Sequence, residues 1–290
     1  MGVSISVLSF SQSSEFQVSE FLRHKKKRMN NRKEDAKEEE KEEEVEEKEI
    51  VVGTLDPSLR TKELPSLEVG EQIPHFEANT QRGGISFHDY IGGNWCVLIS
   101  FKSTYHAVST SDLSILSKLY KQFQARNTRV LAIGMDPQSR VEAWIEEINV
   151  MTKTDLTFPI VCDTNGTVSH KLALLDDPKR RVVKSRPSLK HSILIIDPFK
   201  VLRTRMDYPS NVGRNMYEVL RSLDALQLAD YYRVALPANW EQGGEVMVAP
   251  GVTKAEHAVH FPGGITEATP YFLRSVIEED SSDEDEDEDS

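Results

Sequence analysis

The sequence places two side chains that could take part in catalysis, Ser109 and His106, three residues apart just before a predicted helix. A serine beside a histidine can act as a nucleophile with its base, although the sequence places no aspartate evidently suited to orient the imidazole. Serine is also a preferred N-cap, and Ser109 followed three residues later by Asp112 resembles a capping box. We favour the helix cap for Ser109, and the hydrolase nucleophile stays open as an alternative.

The chain contains two cysteines, Cys96 and Cys162, which form neither a CxxC pair nor a zinc-binding spacing. Cys96 lies within the apolar run WCVLISF, where burial raises the pKa of a thiol. Cys162 precedes Asp163, whose negative charge opposes thiolate formation. We therefore predict that both cysteines are small buried hydrophobic residues, and we predict no metal and no other cofactor.

The elements that must position these residues alternate between strand and helix. A continuous apolar run over 95–101 predicts a buried central strand, and apolar residues at helical spacing predict an amphipathic helix over 110–126. Because strands and helices alternate, we predict an α/β fold with a mostly parallel sheet and helices on both faces. The other predicted strands cover 130–135, 158–161, 192–196 and 201–206, and the other predicted helices cover 139–148, 168–174 and 217–226.

Charge is distributed unevenly along this chain of 290 residues, whose net charge is −12. Residues 23–33 carry seven Lys or Arg and no acid, residues 34–49 have a net charge of −8, and residues 278–290 contain ten acids and no base. Residues 50–277 are close to neutral. Because such charge blocks bury little apolar surface, we predict a disordered extension over 1–65 and a disordered acidic tail after residue 277.

Several stretches resemble the one-cysteine peroxiredoxins, the subgroup with a long C-terminal module. The most specific of them runs from Arg233 to Gly243. The resemblance implies a thioredoxin-like peroxiredoxin core over 66–229, a C-terminal dimerisation module over 230–277, and an antioxidant role through thiol-dependent reduction of hydroperoxides. The matching stretches are Gly70–Thr80, Phe87–Asp89, Gly213–Asn215, Arg233–Gly243 and Val246–Val248 followed by Pro250.

The catalytic signature of that family is altered at every position. The family carries a proline, then a threonine, then the peroxidatic cysteine, and the aligned residues here are Lys102, His106 and Ser109. The family's distal arginine aligns with His191. A serine hydroxyl stays protonated at neutral pH and cannot form the sulfenic acid that a peroxidatic thiolate becomes. The alignment therefore predicts a degenerate pocket.

This altered signature predicts a non-catalytic binding or scaffold protein on a peroxiredoxin fold. Two enzymatic alternatives stay open. One is a peroxidase that reduces hydrogen peroxide and organic or lipid hydroperoxides through a displaced cysteine. The other is a hydrolase that uses Ser109 as its nucleophile.

The expected partner is a second copy of the chain, because residues 230–277 carry more apolar area than a free tail tolerates. We expect a cytoplasmic homodimer without nucleic acid. The first six residues fit a myristoylation pattern at Gly2, and the basic run from Arg23 to Lys33 could supply the second signal for peripheral membrane contact. The sequence has no run of about 18 apolar residues that would predict a membrane-spanning helix.

Overall fold

A seven-stranded sheet forms the centre of the fold in this computed structural model. The described residues do not include Gly2, the basic run from Arg23 to Lys33 or the acidic tail. Myristoylation, membrane contact and disorder of these segments therefore stay predictions. The structure describes residues 55–59, 64–176, 188–269 and 272–277.

Two strands of the central sheet are buried along their full length. They are the strands that begin at Trp95 and His191. The apolar run over 95–101 predicted the first as a buried strand, and the second was predicted as a strand over 192–196 that leads into the turn at Asp197 and Pro198. The strands of the sheet are β1 (Glu77–Thr80), β2 (Gly83–Ser86), β3 (Trp95–Ser100), β4 (Thr128–Gly134), β5 (Ile160–Cys162), β6 (His191–Ile196) and β7 (Leu202–Tyr208). Their order is β2-β1-β5-β4-β3-β6-β7.

The strand directions differ from the mostly parallel sheet that the alternation predicted. Among the described strands, β3 with β4 and β4 with β5 are the parallel pairs. The other four neighbouring pairs are antiparallel. A tight turn at Asp197 and Pro198 makes β6 and β7 a hairpin, and a hairpin is antiparallel by construction. The prediction was wrong for the outer strands, because alternation along the chain does not show which connections are hairpins.

Helices cover both faces of the sheet, and the longest follows β3. Its buried face carries Leu113, Leu116 and Phe123, the apolar spacing from which it was predicted. It begins at Ala107, however, three residues before the predicted start. The helices are α1 (Phe87–Ile91), α2 (Ala107–Ala125), α3 (Gln138–Thr152), α4 (Thr167–Lys171), α5 (Met216–Tyr232) and α6 (His257–His260), and a 3-10 turn covers Pro57–Leu59.

Each face of the central sheet packs against its own apolar cluster. Because side chains alternate along a strand, β3 contributes Val97 and Ile99 to the cluster that includes residues of α2, α3 and α5. It contributes Cys96 and Leu98 to the other cluster. Full burial of a side chain of this size stabilises the fold by roughly 1.5–3 kcal/mol. The central strand is therefore fixed from both sides, and its two ends are held at defined positions.

The packed part of the chain begins upstream of residue 66. Leu55 and Leu59 are buried in a third cluster with Met135, Leu175 and Leu189. The described residues 55–59, within the predicted extension over 1–65, therefore pack against the core.

A second, four-stranded sheet follows α5, with strands β8 (Val234–Ala235), β9 (Val246–Val248), β10 (Thr266–Thr269) and β11 (Phe272–Ser275). Val234, Val246 and Phe261 are buried together beside it. Part of the apolar area that predicted a partner subunit is thus already covered within the chain. None of the helices in the described residues is long and apolar enough to cross a membrane.

Candidate functional site

The predicted site residues meet where β3 leads into α2. We call this group the Ser109 site; it consists of Lys102, His106, Ser109 and His191, together with two residues that pack against them, Asp112 and Arg214. Ser109 and His191 are buried, His106 is half-buried and Lys102 is exposed. The four residues aligned with the family signature therefore do not form one enclosed pocket.

The N-cap of α2 is His106 and not Ser109, so the predicted cap was wrong. His106 has extended backbone angles, and its Nδ1 accepts the backbone N–H of Ser109 at 3.4 Å. Ser109 lies inside the first turn, with its Oγ also 3.4 Å from Nδ1. The helix begins earlier than predicted because the imidazole supplies the acceptor that an N-cap needs.

His106 is an uncharged imidazole at neutral pH. Burial lowers its pKa, and the positive charge of Lys102 and the proximity of His191 lower it further. Nδ1 must be unprotonated to accept the amide, so the cap and the lowered pKa are consistent. The same nitrogen is shared between the Ser109 amide and hydroxyl, both at a long 3.4 Å, which is a cap geometry rather than that of an activated nucleophile.

A buried carboxylate joins three distant segments behind Ser109. Asp112 Oδ2 lies 2.9 Å from His191 Nε2 and 2.9 Å from Arg214 Nε. Its Oδ1 accepts the backbone N–H of Arg214 at 3.0 Å. Arg214 Nη1 donates to the carbonyl of Ser100 at 2.6 Å and to that of Ser192 at 3.1 Å. The positive charge of Arg214 is thus directed at a carboxylate and at the ends of β3 and β6.

The ionisation of this cluster follows from its surroundings. Burial raises the pKa of Asp112, but the approach of His191 and the charge and hydrogen bonds of Arg214 outweigh it, so the pKa is lowered overall. Burial lowers the pKa of Arg214 to about 10, against the opposing effect of Asp112. At neutral pH the pair is therefore ionised. Nη2 of Arg214 and Nδ1 of His191 have no hydrogen-bond partner within the described structure.

Sequence reasoning missed the partners of His191. No aspartate had been expected beside either histidine, yet Asp112 contacts His191. From the sequence, Arg214 belonged only to the family-like stretch Gly213–Asn215, with no predicted contact to the site. Asn215 of the same stretch is the N-cap of α5. The available signal was a charged residue inside an otherwise apolar pattern, since Asp112 sits on the buried face of α2.

The loop between β3 and α2 is held by hydrogen bonds to α3 and the turn before it. The backbone N–H of Thr104 donates to Asp136 Oδ2 at 2.8 Å. Arg140 Nε donates to Thr104 Oγ1 at 2.7 Å, and the guanidinium lies 5.1 Å from the ring centroid of Tyr105. Tyr105 has a φ of 59°, a strained value for a bulky residue. These contacts stabilise the conformation that places His106 at the helix start.

Both cysteines lie in surroundings that keep the thiol protonated. Cys96 is fully buried on β3, and burial raises its pKa strongly. Burial raises the pKa of Cys162 to about 11, with the charges of Glu142 and Asp136 adding to the effect. The sequence predicted that the charge of Asp163 opposes ionisation of the Cys162 thiol. In the structure, Asp163 accepts the backbone N–H groups at the start of α4.

No group of three or more His, Cys, Asp or Glu side chains within the described part of the chain could hold a metal ion. The side chains of the Ser109 site cap a helix, form a buried ion pair and present a neutral imidazole to solvent. None of these features supplies a thiolate.

Two family models match successive parts of the chain. The AhpC/TSA family model matches residues 69–205, and the model of the C-terminal domain of 1-Cys peroxiredoxin matches residues 225–257. The chain is 36% identical to peroxiredoxin-6 of Gallus gallus over 206 residues, which are 70% of this chain and 92% of that protein. It is 35% identical to mitochondrial peroxiredoxin PRX1 of Saccharomyces cerevisiae over 216 residues, 73% of this chain and 82% of that protein.

Solved structures agree with these sequence matches. A cysteine-to-serine mutant of peroxiredoxin 6 of Arenicola marina superposes with a TM-score of 0.68 at 32% identity, covering 73% of this chain and 98% of that one. The yeast mitochondrial 1-Cys peroxiredoxin superposes with a TM-score of 0.67 at 32% identity, covering 73% of this chain and all of that one. The thioredoxin-like core and the family predicted from sequence motifs are confirmed: the chain belongs to the peroxiredoxin family, in its one-cysteine group.

Proposed function

We propose that this chain is a peroxiredoxin that does not reduce peroxides and acts as a non-catalytic binding protein. The observation that carries the proposal is the residue in the first turn of α2, which is Ser109 where the family signature carries the peroxidatic cysteine. A helix N-terminus lowers the pKa of a thiol enough to populate the thiolate, but it does not ionise a serine hydroxyl at neutral pH. Oxygen also cannot take the place of sulfur in forming a sulfenic acid.

The environment of the two cysteines supports the same function. With a pKa of about 11, the Cys162 thiol is deprotonated in roughly one molecule in ten thousand at pH 7. Cys96 is buried on the central strand, out of reach of solvent peroxide. Neither sulfur lies at the start of a helix, where the fold would favour a thiolate.

The side chains of the Ser109 site also support a protein that does not reduce peroxides. Arg214 is committed to Asp112 and to two backbone carbonyls, and Lys102 is exposed. His106 is uncharged at neutral pH because its pKa is lowered. The buried cation of the Ser109 site, Arg214, is thus largely engaged by Asp112 and the two carbonyls, which weakens the positive potential it can direct at an O–O bond.

A peroxide-consumption assay with a thiol reductant tests the proposal. The full-length protein should consume hydrogen peroxide no faster than the double variant Cys96→Ala, Cys162→Ser, which has no thiol and whose fold is checked by circular dichroism. A rate well above that control would contradict the proposal.

A second variant tests whether the pocket as well as the nucleophile has been lost. Ser109→Cys should restore little activity, because Lys102 and His106 replace the groups that shape the family's pocket, and positioning of this kind contributes several kcal/mol to a barrier. Ser114→Cys, a buried position on the same helix, is the matched control. Turnover by Ser109→Cys far above that of Ser114→Cys would show that the pocket is intact.

The alternative function is a peroxidase that uses a displaced cysteine. The observation that favours it is the partial exposure of Cys162, which lies in intermediate burial at the end of β5. This alternative predicts a peroxide-dependent rate that Cys162→Ser abolishes and Cys96→Ala leaves unchanged.

We also propose a homodimer, as the resemblance to the one-cysteine group implies. It is supported by the apolar residues that stay exposed after the second sheet has formed, among them Val259 and Val276. Light scattering at micromolar concentration should give twice the mass of the chain, and a monomeric mass would contradict the dimer. Contact with a membrane through Gly2 and the run from Arg23 to Lys33 stays a prediction, as does the cytoplasmic location.

A further inference from the structure

A second concave site lies at the opposite end of β3 from Ser109. It is a cavity of about 670 Å³ between the start of β3, the end of α5 and the loop that joins β8 to β9. The six residues of β3 span roughly 17 Å at the usual strand rise, so the cavity is separate from the Ser109 site. Its volume is in the range of pockets that enclose small organic molecules.

Five aromatic side chains from four segments line this space, which we call the aromatic cavity: Trp95, Phe199, Tyr231, Tyr232 and Trp240. The two tryptophans are buried, whereas Phe199 is 79% exposed and Tyr231 is 81% exposed. Aromatic rings at a rim with buried aromatic rings behind them form a cleft with apolar faces, a shape that suits a flat ring inserted between them.

The charges around the aromatic cavity are already neutralised. Asp224 pairs with Arg126, and Asp230 pairs with Arg203. The Arg203 guanidinium also lies 5.6 Å from the centroid of the Trp95 ring. Because each carboxylate has its own cation, the cavity offers no unpaired charge of either sign among these four groups and favours an uncharged ligand.

One polar group of the cavity wall has no partner. Trp240 is only 4% exposed, and its Nε1 has no hydrogen-bond acceptor among the described residues. This edge of the indole borders Gly244, another residue of the cavity wall. A buried N–H without an acceptor costs free energy comparable to that of a lost hydrogen bond, and a bound acceptor would recover it.

We propose that the aromatic cavity binds an uncharged, planar aromatic molecule that carries a hydrogen-bond acceptor. The ring lies against Tyr231 and Phe199, and Trp240 Nε1 donates to the acceptor. This binding does not depend on whether the Ser109 site is inert, so either proposal can fail without the other.

Coumarin, which has a flat ring and a carbonyl acceptor, is the probe, and octahydrocoumarin has the same lactone without the aromatic ring. Titration of the full-length protein, followed by ligand-observed NMR, should show saturable binding of coumarin in the sub-millimolar range. Octahydrocoumarin should bind at least several-fold more weakly. Equal affinities, or no saturation up to millimolar coumarin, would overturn the proposal.

Three variants locate the site. Tyr231→Ala and Phe199→Ala should each weaken coumarin binding about two- to tenfold, the value of one aromatic contact. Because both side chains are exposed, these substitutions should leave the fold intact, and circular dichroism checks it. Tyr217→Ala, at a 66% exposed tyrosine on the same helix outside the cavity wall, is the matched control and should leave binding unchanged.

The third variant, Trp240→Phe, keeps an aromatic ring but removes the N–H. It should weaken coumarin binding by a similar factor and reduce the preference for carbonyl-bearing rings. Coumarin binding that is unaffected by Tyr231→Ala and Phe199→Ala, or weakened equally by Tyr217→Ala, would place the ligand elsewhere and contradict the assignment.

Discussion

The two ends of β3 differ in their surroundings where the buried strand approaches the protein surface. At Ser100 the strand enters a closed region where Asp112, His191 and Arg214 are buried against one another. At Trp95 it opens into a cavity edged by exposed aromatic side chains. Chemistry in this family is expected at the first end, whereas the aromatic cavity lies at the second.

Glycines at the two ends report the same contrast. A methyl group added at Gly134, at the end of β4 next to the Ser109 site, would overlap the ring of Phe101. A methyl group added at Gly93, in the wall of the aromatic cavity, would meet nothing within 4 Å. The backbone at Gly134 is tightly packed and tolerates little added volume, whereas the backbone at Gly93 has space for a methyl group.

The largest effect should come from breaking the buried pair at the closed end. Asp112→Ala leaves the Arg214 guanidinium buried without its carboxylate, and should lower the free energy of unfolding by about 3–5 kcal/mol. Glu245→Ala breaks the exposed pair with Arg274, which is worth no more than about 1 kcal/mol. Urea denaturation of both variants measures the difference, and similar losses would mean that the buried cluster is not held by its charges.

A smaller effect should distinguish the packing of the two ends. Gly134→Ala should destabilise the protein by about 1–3 kcal/mol, because the Phe101 ring must move to admit the new methyl group. Gly93→Ala should change stability by less than about 0.5 kcal/mol, the usual limit for an unconstrained surface position. Thermal unfolding of the pair is the measurement, and equal shifts would show that the closed end can relax.

The smallest effect is a pH dependence that belongs to the closed end. Because the pKa of His106 is lowered in the folded state, the unfolded chain binds the proton first, and stability should decline as pH falls below about 6.5. Asp112 has a lowered pKa too, but as an acid it stabilises the fold above its unfolded pKa of about 3.9 and loses this contribution as pH falls through the folded value.

Substitutions separate the two pH windows. His106→Asn keeps an N-cap acceptor and should remove the slope near pH 6, whereas Asp112→Asn should make the loss of stability below pH 4 less steep. Tyr231→Ala, at the open end, should alter neither. Unfolding midpoints measured from pH 3 to 8 provide the test, and a slope near pH 6 that survives in His106→Asn would assign it to another group.

Local sequence patterns predicted much of the fold. The apolar run over β3 predicted a buried strand, and helical spacing predicted the buried faces of α2 and α3. Turn chemistry at Asp197 and Pro198 gave the hairpin between β6 and β7, although the direction of the sheet as a whole was misjudged. Patterns of this kind depend on neighbours a few residues apart, which is why sequence periodicity can report them.

The sequence by itself determined the family, the central buried strand and the serine at position 109, because motifs, periodicity and residue identity are local properties of the chain. Only the tertiary structure decided that Asp112 meets His191 and Arg214, residues up to 102 positions apart, and that aromatic side chains from four segments surround one cavity. The structure also shows that His106, and not the predicted Ser109, is the N-cap of α2. Contacts between distant segments depend on the path of the whole chain, and no local pattern encodes that path.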